Sequence, residues 1–299
     1  MMNLILDSKP ILNFNKNQMT PFKLTLIFVL GYAIQTAYAQ SDTIYIWPHE
    51  VPGESKPKAK PLLTLLPDGT NRVIEITDPF LAVFLPKAAQ KNGKTMIICP
   101  GGGYVRLAVQ KEGYAIADWL IGQGYTVFVL QYRVPYKRDG AVQDLTRALK
   151  YIRYHAADYG IDDRKIGAMG FSAGAHLVVR AAMSDTLPRY ERQDLADRES
   201  GKPDCMVIIY PGYLSGGPGS SLSPGLTANE KTVDTFIFQT MDDGSALSAL
   251  ALAKALQQAK SNVELHMPPK GGHGYGMYPG NKAAETWPRL LADWLREHF

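Results

Sequence analysis

From residue 95 onward, short apolar runs at 96–99, 127–130, 166–169, 206–210, 236–238 and 263–267 alternate with longer stretches whose apolar positions recur at helical spacing. The short runs predict strands. The longer stretches predict helices over 112–121, 141–154, 173–182, 245–260 and 283–297. Each gap between strands is long enough for a right-handed crossover, so the pattern predicts a mostly parallel central sheet flanked by helices. Upstream, Pro48, Pro52, Pro57, Pro61 and Pro67 stand among charges, which predicts an extended segment over 40–70, with short strands starting near Val73 and Leu81. The stretches 184–204 and 212–234 show no periodicity, and the second is rich in Gly, Ser and Pro. Both are expected on the ligand-bearing side of the sheet. The organisation predicted is one α/β domain over 40–299 without a large helical cap.

Composition narrows the class. With 45% hydrophobic and 20% charged residues the chain is expected to be globular. Its formal charge is +4, but residues 1–39 hold Lys9, Lys16 and Lys23 against Asp7, which leaves about +2 for the remainder. Such a balance recruits neither nucleic acid nor an anionic membrane. Residues 19–39 combine a basic start at Lys23, an apolar stretch over 24–34 and a small-residue pattern, Ala37-Tyr38-Ala39, before Gln40. This predicts a signal peptide, with Met19 as an alternative start, and export to the periplasm or the medium. The segment is interrupted by Thr25, Gly31 and Gln35, so a stable membrane anchor is not expected. Two cysteines, Cys99 and Cys205, make no disulfide framework; both fall on predicted core strands.

The chemistry begins at Gly170-Phe171-Ser172-Ala173-Gly174, which fits Gly-x-Ser-x-Gly between a predicted strand and an Ala-rich helix. In that context the serine sits on a tight turn with its hydroxyl above the sheet. A neutral serine needs a base within hydrogen-bond reach and a third group to fix the base's tautomer. His273 fits the base: it stands in Gly271-Gly272-His273-Gly274-Tyr275, past the last strand and before the closing helix. His176, four residues beyond Ser172, would stack over the first helical turn while the serine points outward, so packing is expected of it. His266 falls inside a strand, and His49, His155 and His298 have no catalytic neighbours. The acid is expected after the strand at 236–238, where Asp242 and Asp243 both stand; spacing leaves either open.

Acyl transfer also needs backbone donors for a developing oxyanion. Pro100-Gly101-Gly102-Gly103-Tyr104 follows the strand at 96–99 and resembles the His-Gly-Gly-Gly loop of lipases and esterases. Its Gly102 and Gly103, with the amide of Ala173, are the expected oxyanion donors. Tyr104, Tyr213, Tyr275 and Tyr278 flank strand ends or catalytic loops, and are expected to line the mouth where they could grip a sugar ring. The glycine run lacks dinucleotide and phosphate-loop spacing, and no zinc motif appears, so no metal or cofactor is implied.

Taken together, residues 99–104 with Glu112 and Gly113, 131–133, 144–148, 166–177 and 270–275 with Trp287 and Trp294 resemble the bacterial α/β-hydrolases described as acetyl xylan esterase-like or dual feruloyl/acetyl esterase-like, relatives of the hormone-sensitive lipase branch. The resemblance runs from about Trp47 to the C-terminus. It implies Ser172 as nucleophile, His273 as base and Asp243, the second of the pair, as acid. It also implies acetyl or feruloyl esters of plant-type carbohydrate, such as xylan fragments, as substrate. The chain departs from the family pattern at Ala175 and in the segment after Asp243, which lacks the usual Val-Pro. The residues by themselves lead to a serine esterase. A peptidase or lipase on the same fold shares the triad, and a non-catalytic binding protein would be expected to have lost part of it.

Overall fold

The computed structural model describes residues 40–66 and 71–299; the expected signal peptide over 1–39 lies outside the described residues. Eight strands form one sheet: β1 (Gln40–Tyr45), β4 (Phe80–Phe84), β5 (Thr95–Cys99), β6 (Thr126–Gln131), β7 (Ile166–Phe171), β8 (Met206–Ile209), β9 (Thr235–Phe238) and β10 (Val263–His266). They lie in the order β1-β4-β6-β5-β7-β8-β9-β10. β4 pairs antiparallel with both β1 and β6, and every other pairing is parallel. A separate antiparallel hairpin joins β2 (Leu62–Leu65) to β3 (Asn71–Glu75).

Strands β4 to β9 are buried along their whole length, which is why they read as continuous apolar runs rather than alternating ones. Alternate residues feed two cores, one on each face. Ile97, Phe128 and Ile208 join one; Met96, Val129 and Val207 join the other. The covering helices are α1 (Ala115–Gly122), α2 (Arg138–Tyr154), the short α3 (Ala156–Tyr159), α4 (Ala173–Met183), α5 (Ala246–Gln258) and α6 (Lys282–His298). The helix expected over 112–121 begins instead as a π-helical turn, Gln110–Tyr114, before α1.

The proline-rich N-terminal segment is fastened to α2 by a buried polar cluster. Asp144, fully enclosed, accepts from Trp47 Nε1 at 2.8 Å and from the Arg133 backbone and guanidinium at 2.9–3.0 Å. Removing one side of such a pair strands the other and costs about 3–5 kcal/mol. Gln40 to Phe299, as described, fall in one compact unit. Between β8 and β9 stands only a three-residue 3-10 turn, Pro218–Ser220, so no helical cap covers the strand ends among the described residues. None of the described helices is long and apolar enough to cross a membrane.

Because the chain runs from β5 to β6 on one side and then crosses to β7 on the other, the strand order reverses at β5 and β7. In sheets of this kind a crevice is expected at the carboxyl ends of such strands. The three glycine-bearing segments singled out by sequence all converge there.

Candidate active site

Ser172 sits between β7 and α4 at φ 52°, ψ −115°, a conformation that side chains rarely adopt. Neighbouring glycines make it attainable. A methyl on Gly174 would lie 2.0 Å from the Cys99 carbonyl oxygen, and one on Gly170 would lie 2.3 Å from the Gly174 carbonyl oxygen. Strand and helix therefore meet closely enough to pinch the serine outward.

Three side chains form a continuous hydrogen-bonded relay. Ser172 Oγ lies 2.8 Å from His273 Nε2, and His273 Nδ1 lies 2.6 Å from Asp243 Oδ2. The other carboxylate oxygen of Asp243 accepts from the Ser245 amide at 2.8 Å and hydroxyl at 2.9 Å. Burial pushes the Asp243 carboxyl up, yet the Ser245 N–H and the His273 ring outweigh it and hold the group below its ordinary value. An ionised Asp243 fixes the proton of His273 on Nδ1, leaving Nε2 free to accept from the serine. Asp242 acts on the backbone instead, its exposed carboxylate accepting from the N–H of Gly272 at 2.9 Å and of Gly271 at 3.2 Å. Donation by Gly272, ahead of Gly271, holds that carboxyl low as well.

The loop after β5 lies against the serine. A Cβ on Gly101 would fall 2.9 Å from that of Ser172. Gly101 and Gly102 offer their carbonyls to Ala108, Val105 and Arg106. No acceptor for the N–H groups of Gly102, Gly103 or Ala173 is found among the described residues. Backbone donors left open beside a serine hydroxyl are of the kind that can hold a developing oxyanion.

A family model described as BD-FAE matches residues 81–209. The acetylxylan esterase of Xylanibacter ruminicola is 28% identical over 233 residues, 72% of this chain and 48% of that protein. The endo-1,4-beta-xylanase B of Butyrivibrio fibrisolvens is 30% identical over 205 residues, 60% of this chain and 32% of that one. Among solved structures, the acetyl ester-xyloside bifunctional hydrolase of Caldicellulosiruptor lactoaceticus superposes with a TM-score of 0.70 at 28% identity, covering 88% of this chain and 98% of that one.

The chain has the α/β-hydrolase fold and is similar to acetylxylan esterases and an acetyl ester-xyloside hydrolase.

It spans about half, and in the xylanase about a third, of the length of these curated relatives. In this chain the tyrosines expected to line the mouth divide. Tyr213 is 47% exposed, with the Arg138 guanidinium 4.6 Å from its ring centroid, and Tyr278 is 46% exposed under Lys111 Nζ at 5.1 Å. Tyr104 and Tyr275 are corrections. The Tyr104 ring turns inward beneath the loop, 1% exposed, and its hydroxyl bonds His176 Nδ1 at 2.8 Å. Tyr275 is 4% exposed; its ring packs 4.5 Å from Tyr210 and 6.3 Å from Phe238, behind His273 rather than beside it. Neither offers a face to a sugar. Each sits at a reversal of the chain, where adjacency to a functional loop does not determine which way a side chain points.

His176 packs as expected, though against Tyr104 and Tyr213 rather than along its own helix. Burial, then Arg180 and Arg138, push its imidazole down to about 3. Cys99 and Cys205 are free and buried, which raises both thiols and keeps them unreactive. Motif reading gave no role to Ser245, Tyr210 or Glu112. Ser245 follows Asp243 by two residues, a common spacing for a turn that braces a carboxylate.

Proposed function

We propose that the hydrolase is a serine carboxylesterase acting through an acyl-enzyme, and that it removes acetyl or feruloyl groups from plant-type carbohydrate such as xylan fragments. The observation that carries the reading is the relay Ser172–His273–Asp243, with contacts of 2.8 and 2.6 Å, set beside open backbone donors.

Ser172 Oγ attacks the ester carbonyl carbon while His273 Nε2 takes its proton. The oxyanion that forms is held by the N–H groups of Gly102, Gly103 and Ala173. Collapse breaks the bond to the alcohol, which leaves with the proton from His273, and the acyl group stays on Ser172. Water, deprotonated by the same imidazole, then releases the acid and restores the serine. Asp243 stays ionised and steadies the imidazolium in both halves.

The crevice supports the substrate class. No helical cap stands over the strand ends among the described residues, which suits a bulky alcohol approaching from solvent better than a long acyl chain. Tyr213 is an exposed aromatic face at the donor loop, its hydroxyl 3.7 Å from where a Cβ on Gly103 would stand. The test is a panel of para-nitrophenyl esters of increasing chain length together with acetylated xylo-oligosaccharides. Acetyl esters should be turned over much faster than octanoyl esters, acetate should be released without glycosidic cleavage, and a fluorophosphonate should label Ser172. Preference for long chains, or cleavage of peptides with acetylated sugars inert, refutes the carbohydrate-esterase reading. We also propose export, with a mature start at or near Gln40; protein from the native periplasm or medium that retains residues 1–39 by intact mass refutes it.

A further inference from the structure

Beneath the crevice lies a carboxylate that the relay does not use. Glu112 is 4% exposed and stands on the π-helical turn Gln110–Tyr114, whose wide spacing aims it inward. Its Oε2 accepts from the Gly101 N–H at 2.8 Å, and its Oε1 accepts from the Tyr210 hydroxyl at 3.0 Å. The Tyr210 oxygen in turn accepts from the Gly276 N–H at 3.1 Å. The Tyr210 ring lies 5.1 Å from that of His273, and a Cβ on Gly274 would fall 3.9 Å from Glu112 Oε1. One side chain thus bonds the loop that carries Gly102 and Gly103 and, through Tyr210 at the end of β8, the Gly276 N–H just past His273.

Packing alone would favour an apolar residue here, since enclosing a carboxylate costs free energy unless each oxygen finds a donor. Burial holds the Glu112 carboxyl above its ordinary value even though the Gly101 N–H and the Tyr210 hydroxyl pull it down.

We propose that Glu112 is a positioning residue that ties the oxyanion loop to the histidine loop, so that the donors for the oxyanion and the base for the serine are set by one group. The kinetic side of this rests on the esterase reading; the tie between the loops does not. Glu112→Gln keeps shape and can still accept from Gly101, but its new amide N–H meets the Tyr210 hydroxyl donor to donor. Tyr210→Phe cuts the same link from the other end.

The experiment combines steady-state kinetics on para-nitrophenyl acetate with hydrogen–deuterium exchange of the full mature chain. Glu112→Gln is expected to lower kcat about ten- to a hundredfold with KM nearly unchanged, because misplacement of donors and base is felt in the transition state. The double variant should be no worse than Glu112→Gln, since both break one chain of bonds. Exchange should quicken in peptides over 100–104 and over 271–276 together, with the strands unchanged. The proposal is overturned if Glu112→Gln leaves kcat within twofold of wild type, if exchange rises at 100–104 alone, or if it rises throughout the core, which marks a packing residue. Should the wild type hydrolyse no ester, the esterase reading falls and the exchange pattern alone still decides the tie.

Discussion

The loops at 100–104 and 271–275 are both rich in glycine, yet they are held in different ways. The first is fixed mainly through its carbonyls, with Ala108 donating to Gly101 and Val105 and Arg106 to Gly102, and by a single N–H, that of Gly101, which Glu112 takes. The second is fixed equally through N–H and carbonyl groups, Asp242 taking the N–H of Gly271 and Gly272 while the Thr240 hydroxyl donates to the Gly272 carbonyl at 2.7 Å and Asn281 to the Gly271 carbonyl at 2.9 Å. The difference follows from the job proposed for each. A loop that must present N–H groups to a developing charge cannot spend them on itself, whereas a loop that must aim one imidazole can have its backbone clamped from every side.

This contrast is most directly tested at the base. Asp243→Asn should lower kcat by about 10⁴-fold, because an amide in place of the carboxylate no longer fixes the Nδ1 proton and no longer offsets the imidazolium. Steady-state turnover of para-nitrophenyl acetate measures it. A loss below tenfold would move the acid elsewhere. Next comes Gly102→Ala, which strikes the donor loop. Gly102 stands at φ 135°, and a methyl there would fall 2.0 Å from the Arg106 carbonyl oxygen, so the backbone must shift and carry its N–H away. The expected loss in kcat is about 10²–10³-fold with KM little changed. A variant with wild-type kcat would show that these amides do not meet the oxyanion.

A smaller effect is expected from Asp242→Asn, which keeps one acceptor of two and should slow turnover by about tenfold or less. If it instead matched Asp243→Asn, clamping of the histidine loop would matter as much as its charge. The smallest effect concerns the underside of the donor loop. His176 is held at about 3, so its imidazole should stay neutral, and its ring proton resonances flat, from pH 8 down to pH 5. Since the folded value lies below the ordinary 6.5, the unfolded chain binds the extra proton first, and stability should be lost as pH falls from about 6.5 toward 3. A resonance that titrates near neutrality would mean that the Tyr104–His176 contact is open to water.

Much of this was legible along the chain because burial writes itself plainly there. Strands covered on both faces leave runs such as 96–99 and 127–130 with no polar residue, and the glycines at 170 and 174 mark a backbone contact that no side chain could survive. Less legible was β1, whose Gln-Ser-Asp-Thr-Ile-Tyr pairs at the sheet edge through its backbone while most of its side chains face solvent. The aromatic rim was half legible: tyrosine is at home in a core or at a mouth, and only the turn geometry at Tyr104 and beyond His273 decides between them. Asp243 and Asp242 differ by one position, and their separate roles rest on which carboxylate the turn sends inward. Glu112 gave no more than a charge inside an apolar helix pattern, since its partners Gly101 and Tyr210 stand 11 and 98 residues away along the chain.

The contact at Gly174 also bears on how this scaffold can change. A single methyl there would collide with the Cys99 carbonyl, so the nucleophile wall of the crevice tolerates no drift. Gly244, next to Asp243, is exposed, and a Cβ there meets nothing within 4 Å. Substitutions around this site are therefore better tolerated outward from Gly244 than at the turn around Ser172, where a library would lose most of its members.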